Sequence, residues 1–366
     1  MTDPGNWQHS NKKWFGLQEM TYNEESTFEM LAVRAKSNGL EIEFTEALNE
    51  GDGWSTDDYE IVQWYYKPTA DYGGPKLDEK ALNIKSANVS GDRKKVFLEL
   101  EGMKDDHVLY VRIKNHFVST ENHSLWSTEA WYTMNEIPKN NDGQVASAPF
   151  LRKTNTLSET EKSAGWVSLF DGQSLDQFKG FNADNISSKW KVDGDAIYFD
   201  PKIKGDGGDL MTKESYKDFE LNLEWKISNC GNSGIFFNVV EDKKHCCTWQ
   251  TGPEMQILDN TCHPDTKYET HRAGDLYDML PCEYVTVNPA LQWNKVRIIS
   301  KDGNVEFWLN GYKVVDFKIS NEDWSKMISE SKFKDMTDFG QSDSGHIALQ
   351  DHGDPVWFRN IKIRRL

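Results

Sequence analysis

Residues 219–225 read FELNLEW, apolar and polar side chains in strict turn, and this period of two constrains the fold more than any other feature. Successive side chains of a strand point to opposite faces, so such a run is a strand with one face committed to a core. Similar runs recur at 40–44 (LEIEF), 96–100 (VFLEL), 108–113 (VLYVRI), 305–309 (VEFWL) and 358–363 (FRNIKI), with Gly, Asn and Asp between them. Many short runs separated by turn residues predict an all-β fold built of sandwiches. One short helix is expected within 321–336, capped by Asn321 ahead of Glu322 and Asp323.

Between 137 and 162 large apolar side chains nearly vanish, which predicts a linker. The chain then divides into an N-terminal unit (1–137), a linker (138–164) and a C-terminal unit (165–366), both units within ordinary domain size. The net charge of -17 with no basic patch speaks against a nucleic-acid partner, and no apolar stretch is long enough for membrane insertion. Residues 1–7 (MTDPGNW) have neither a basic start nor an apolar run, so no signal peptide is expected, and the abrupt start reads as a cut inside a longer protein. The 14 Trp residues offer flat faces on which sugar rings stack, which favours a carbohydrate ligand. All five Cys lie between Cys230 and Cys282. One or two disulfides are expected, with the pairing open and at least one thiol left over. Metal binding by Cys246 and Cys247, or by Cys262 and His263, ranks behind because no CxxC spacing is present.

Six segments of the C-terminal unit form a specific combination: GWVSLFDG (165–172), DFELNLEWK (218–226), NSGIFFN (232–238), GPEMQILDN (252–260), WNKVRI (293–298) and GHIALQDHG (345–353) with FRNI (358–361). Together they resemble the 3-keto-disaccharide hydrolase family. The resemblance implies a concanavalin A-like jelly-roll β-sandwich with a ligand groove on its concave face, action on glycosides whose C3 is a ketone, and an extracytoplasmic (periplasmic or secreted) location. The segments WFGLQ (14–18), GLEIEFT (39–45), VQWYY (62–66), YGGP (72–75) and WYTM (131–134) are similar to an immunoglobulin-like module of bacterial proteins associated with sugar dehydrogenases. That likeness implies an N-terminal immunoglobulin-like β-sandwich and an upstream sugar-oxidising domain outside this chain.

Alternation assigns faces. Glu254 and Gln256 lie opposite Met255 and Ile257, while Glu220, Asn222, Glu224 and Lys226 lie opposite Leu221, Leu223 and Trp225. Gly234, Phe236 and Asn238 share a face, as do Gln350 and His352. Glycanases of this fold carry carboxylates two residues apart on such a strand, but here the second position is Gln256, which serves neither as acid nor as nucleophile. A different chemistry fits. A C3 ketone acidifies the C2 proton, and β-elimination from C1 needs a base, an enolate stabiliser and an acid, with no nucleophile. Glu254 is expected as base or acid, His352 as the second such group, and Lys226 as the enolate stabiliser. Gln256, Asn238, Gln350, Glu224 and Tyr277 are expected to bind substrate, although Glu224 and Lys226 also read as a solvated cross-strand pair. No cofactor is established by these residues. A divalent metal held by Asp259 and His263, with Glu254 or His271 completing the shell, is the one candidate. The Gly-rich stretch from Asp206 to Asp209 reads as a turn rather than a calcium loop. The competing functions are a non-catalytic carbohydrate-binding jelly roll and a conventional endo-glycanase. Convergence of Glu254, His352 and Lys226 in one pocket separates the enzyme from both.

Overall fold

A computed structural model describes residues 21, 26–67, 69, 74–146 and 153–366. The motif at 14–18 and Tyr72 lie outside the described residues. Eight strands come first: β1 (Met30–Lys36), β2 (Gly39–Phe44), β3 (Tyr59–Tyr66), β4 (Lys76–Ala81), β5 (Asn83–Val89), β6 (Lys95–Glu101), β7 (His107–Ile113) and β8 (Glu129–Met134). They form two four-stranded sheets, in the orders β1-β2-β6-β5 and β4-β3-β7-β8. The alternation of β2 sends Leu40, Ile42 and Phe44 inward, where they meet Ile61 of β3 and Leu109, Val111 and Ile113 of β7. Two sheets closed over one apolar layer make a sandwich, compatible with the immunoglobulin-like expectation.

The short helix α1 (Glu159–Ser163) follows, started by a capping box in which Ser158 and Glu161 satisfy each other's amides. Then come β9 (Val167–Ser168), β10 (Phe178–Gly180), β11 (Trp190–Asp193), β12 (Ala196–Phe199), β13 (Leu210–Thr212), β14 (Phe219–Ile227), β15 (Asn232–Val239), β16 (Glu254–Leu258), β17 (Asn294–Lys301), β18 (Asn304–Leu309), β19 (Tyr312–Lys318), helix α2 (Glu322–Glu330), β20 (His346–Leu349) and β21 (Val356–Arg365). One sheet runs β10-β13-β20-β15-β16, and the other β11-β12-β21-β14-β17-β18-β19 with β9 beside β21. The chain crosses repeatedly between the two antiparallel sheets, as a jelly-roll sandwich requires. Ile235, Phe237, Met255 and Ile257 of the five-stranded sheet pack into one buried cluster with Leu221, Leu223, Trp225 and Phe307 of the larger sheet. Among the described residues no apolar core member is common to the two units, and we propose the division at 138–164 on that ground.

The expected linker is more than a spacer. Gly143 and Ala146 donate their amides to the side chains of Asn38 and Asn88 of the first unit, while the backbone amides of Asn155 and Asn360 of the second each donate to the other's side-chain Oδ1 at 2.7 Å. The two units also meet through polar groups: Lys295 pairs with Asp58, Arg112 reaches the Gly311 carbonyl, and the Arg112 guanidinium lies 3.7 Å from the centre of the Tyr312 ring. Among the described residues no helix is long and apolar enough to cross a membrane.

Two local departures from regular period matter for the site. Asn238 has φ 53°, and the pairing of β15 with β20 shifts register between Phe236 and Val239. Val239, not Asn238, therefore joins Phe236 in a small apolar cluster, and the expected face shared by Gly234, Phe236 and Asn238 ends at Phe236. Helix α2 is capped by Asn321 as expected but stops at Glu330, six residues short of Met336. The chain turns there because the Ser331 side chain bonds back to the Ile328 carbonyl and the Phe333 ring stacks on Phe339 at 3.8 Å.

Phe237 is fully buried and meets Phe307 edge to face at 5.9 Å. Phe237→Ala is expected to lower unfolding free energy by about 3–5 kcal/mol in chemical denaturation, the range for truncating a buried aromatic ring. A loss under about 1 kcal/mol, the level of an average substitution, would contradict this account of the core.

Candidate active site

The outer face of the five-stranded sheet carries a row of polar side chains. Glu254 and Gln256 project from β16, opposite the core-facing Met255 and Ile257. On the neighbouring strand Gly234 pairs with Gln256 and lies diagonal to Glu254. A Cβ at Gly234 would come within 1.9 Å of Glu254 Oε1, so the carboxyl occupies space that only glycine leaves open. Gln256 Nε2 donates to Asn232 Oδ1 at 3.0 Å, and Asn232 Nδ2 lies 3.5 Å from His352 Nε2. His352 stands half-exposed at the end of this row, with the His263 ring 6.5 Å away. Gln350 is placed through its backbone, whose amide donates to the Gly234 carbonyl at 3.0 Å.

Glu254 Oε1, Gln256 Oε1 and Gln350 Oε1 are all buried, and none accepts a hydrogen bond from the protein. A buried acceptor without a donor costs about 1–3 kcal/mol, and three of them, two on β16 and one just past β20 with β15 between, are what the hydroxyl groups of a sugar would satisfy.

Two loops wall the row. After β16 the chain returns along the strand, with the Tyr277 amide donating to the Glu254 carbonyl at 3.1 Å. The Tyr277 ring has the His271 ring centre 4.4 Å away and Lys332 Nζ 4.0 Å from its own centre. Asp278 holds both neighbours: Oδ1 meets His271 Nε2 at 2.8 Å, and Oδ2 accepts the Lys332 amide at 2.7 Å. The early end of α2 is what brings Lys332 into this contact. On the other side the Asp209 carboxylate accepts from the Thr248 hydroxyl and from the Asp351 amide at 2.9 Å. Met211, Phe236, Val239 and Ala348 form an apolar patch beside it, covered by Trp249 and Phe181.

Burial sets the charges. Glu254 is pushed up to about 8 by burial, with Asp209 adding to the rise and Lys332 only partly opposing it. Asp209 is raised to about 6 by burial against its two hydrogen bonds. Burial lowers Lys332 in spite of the attraction of Glu254, and burial lowers His352 in spite of Asp354. At neutral pH the site therefore presents a protonated carboxylic acid, a neutral imidazole and a lysine.

Glu254, Gln256, Gln350, Tyr277 and His352 are gathered on one side of the sandwich. Lys226 and Glu224 are not among them, so the expected convergence of Glu254, His352 and Lys226 in one pocket does not occur. Both project from β14, which belongs to the eight-stranded sheet, and they face outward on the opposite side of the molecule. Lys226 Nζ lies over Trp357 and Trp293 at 4.6 and 4.9 Å. Glu224 binds Arg359 Nε at 2.7 Å and Asn360 Nδ2 at 3.0 Å, at the edge of a cavity of about 1020 Å³ between the two units. They do not form a solvated pair with each other either. Asn238 leaves the alternation at its positive φ and donates to the Ser342 carbonyl at 3.2 Å.

Asp259 and His263 have structural partners. Asp259 accepts from the Cys230 amide at 2.8 Å and from the Thr261 amide and hydroxyl, and His263 Nδ1 accepts the Asp265 amide at 3.2 Å to cap a short turn. Among the described residues the one cluster with metal-ligand proximity is Cys230, Asp259 and Cys262, but its two sulfurs are joined in a disulfide and so are not thiolate ligands. His271 is likewise held by Asp278. Asp209 and Lys332 were not singled out from the sequence as site residues. Asp209 follows Gly207 and Gly208, a local sign of a tight loop, whereas Lys332 has no signal in its neighbourhood and reaches the site through Asp278, 54 residues away in the chain.

Residues 165–364 match the model of a family described as a 3-keto-alpha-glucoside-1,2-lyase-like domain. A 3-keto-disaccharide hydrolase of Bacteroides thetaiotaomicron is 34% identical over 228 residues, which cover 55% of this chain and 79% of that protein. A Parabacteroides distasonis protein of known crystal structure, provisionally described as a glycosyl hydrolase, is 35% identical with a TM-score of 0.55, over 58% of this chain and 100% of that one.

Two measurements test the electrostatics. Glu254 ionises near its ordinary 4.5 when the chain is unfolded but at about 8 in the folded protein. Between those values the folded state keeps a proton that the unfolded chain has lost, so stability falls as pH rises through this window and levels off above it. Asp209 acts with the same sign between 3.8 and about 6. Glu254→Gln is expected to melt above the wild type near pH 8 and to converge with it near pH 4.5. Equal melting temperatures across the range would show that the carboxyl is not held protonated. Gly234→Ala is expected to displace the Glu254 side chain and, if that carboxyl takes part in the reaction, to lower turnover at least about tenfold. Unchanged turnover would remove the close approach from the account.

Proposed function

We propose that this chain, which belongs to the 3-keto-alpha-glucoside-1,2-lyase-like domain family through residues 165–364, cleaves the glycosidic bond of sugars oxidised to a ketone at C3, and does so by β-elimination. The observation that carries the mechanism is Glu254: a buried carboxyl with one oxygen free of any partner among the described residues, which burial pushes up to about 8. A retaining or inverting glycosidase needs a second carboxylate free to act as nucleophile or base. The nearby Asp209 has both oxygens engaged, by Thr248 and by the Asp351 amide, and the strand position two residues on is Gln256.

The neutral His352 imidazole takes the C2 proton. The electron pair forms the C1–C2 double bond conjugated with the C3 ketone, and the C1–O bond breaks. Glu254 gives its proton to the departing oxygen, as a carboxylic acid of raised pKa does well. Lys332, whose ammonium lies over the Tyr277 ring, replaces Lys226 as the positive charge that favours the enolate. Gln256 and Gln350 hold sugar hydroxyls through their unpaired oxygens. Addition of water across the double bond completes net hydrolysis, and release of the unsaturated sugar makes the reaction a lyase. Such a substrate comes from an enzyme that oxidises C3 of a glycoside. The Cys230–Cys262 disulfide supports an oxidising, extracytoplasmic compartment.

Incubation of the protein with a 3-keto-glucoside and with its unoxidised parent, in deuterated water, tests both parts. Release from the ketone alone, with deuterium at C2 of hydrated product or of recovered substrate, is the expected result. Release from the parent, or from neither, rejects the substrate class. Release with C2 hydrogen fully retained rejects elimination. In kcat/KM the wild type should lose activity as pH rises past about 8, where Glu254 gives up its proton. Glu254→Gln should lower turnover by about 10²–10⁴, the usual contribution of an acid catalyst.

A further inference from the structure

Cys246 and Cys247 are neighbours in sequence, and their Sγ atoms lie 2.7 Å apart. That is inside the contact distance of two unbonded sulfurs, so the local backbone already directs one side chain at the other. Cys246 is exposed and Cys247 half-buried. The same chain closes Cys230 to Cys262, a bond that persists in oxidising surroundings. The fifth cysteine, Cys282, is packed beneath the loop after β16, with its sulfur 3.6 Å from the Ala273 carbonyl.

We propose that Cys246 and Cys247 form a vicinal disulfide, and that the ring it closes fixes the wall of the acid site. The oxidant is a small-molecule or protein disulfide. The exposed Cys246 thiolate attacks it, forming a mixed disulfide and releasing one thiol. The Cys247 thiolate then attacks the Cys246 sulfur and expels the second thiol. Two protons and two electrons leave the cysteine pair, and the oxidant is reduced to two thiols.

The position of the pair gives the bond a role. Cys247 is the cap of the short turn Thr248–Gln250, and no side-chain hydrogen bond supports that cap. The turn presents the Thr248 hydroxyl to Asp209, whose charge acts on Glu254, and places Trp249 against the apolar patch that contains Phe236. Closing the ring between residues 246 and 247 removes rotation from the one peptide through which the chain enters this turn. The Cys246 amide, bonded to Gln250 Oε1 at 2.7 Å, ties the far end of the turn to the same ring.

The test does not depend on catalysis. Full-length protein is incubated with oxidised glutathione, unfolded in the presence of iodoacetamide without reductant, and mapped by mass spectrometry. One label per chain, on Cys282, with the 246–247 peptide two hydrogens lighter, is the expected result. A label on Cys246 or Cys247, or a glutathione adduct that persists on either, overturns the bond. The double variant Cys246→Ser/Cys247→Ser, which leaves Cys230–Cys262 intact, is then compared with the oxidised protein by hydrogen–deuterium exchange. Faster exchange at 246–252 with unchanged exchange at 254–258 supports the positioning role, and identical exchange at 246–252 overturns it.

Discussion

The apolar layer between the five- and eight-stranded sheets fixes where everything else in the C-terminal unit lies. Ile235, Phe237, Met255 and Ile257 enter it from one side and Leu221, Leu223 and Trp225 from the other. Because side chains alternate, each of these commitments sends the intervening residues to one of two outer faces. Glu254, Gln256 and Gly234 are consigned to one, Glu224 and Lys226 to the other. A shift of one residue in β16 would bury Glu254 between the sheets and bring Met255 into the site, so the packing of the core and the placement of the acid are a single constraint.

Once placed, Glu254 is governed by solvent exclusion more than by its neighbours. Lys332 attracts its charged form, but burial outweighs that attraction and Asp209 opposes it further. The protein holds an acid it would be more stable without at alkaline pH. Gly234 makes the arrangement sterically possible, since any side chain there would collide with the carboxyl. Local stability is given up at a position where a protonated carboxylic acid is chemically useful.

The rest of the site comes from loops that the sheets carry to their rim. Asp278 illustrates the economy of this: one carboxylate orients His271 and anchors the Lys332 backbone, so two segments more than fifty residues apart close around the Tyr277 ring. The Cys230–Cys262 disulfide and the Asp259 side chain do similar work at the other end of β16, tying the β14–β15 turn to the loop that follows Leu258. Asp259 and His263, which read as metal ligands in one dimension, are turn-forming groups in three.

Period-two patterning by itself determined that the chain is all-β, and it separated the core-facing residues of β14 and β16 from their outward neighbours, because alternation is a property of each strand alone. The motif combination over 165–366 carried the family, and Glu254, Gln256, Gln350, Tyr277 and His352 were legible as a polar group. What alternation does not contain is which sheet a strand joins. Lys226 and Glu254 have the same local pattern, yet β14 and β16 enter different sheets, and the two side chains point away from each other through the whole thickness of the sandwich. Nor does it contain the positive φ that removes Asn238 from its face, or the early end of α2 that delivers Lys332. Those depend on contacts between residues far apart in sequence, and only tertiary structure decides them.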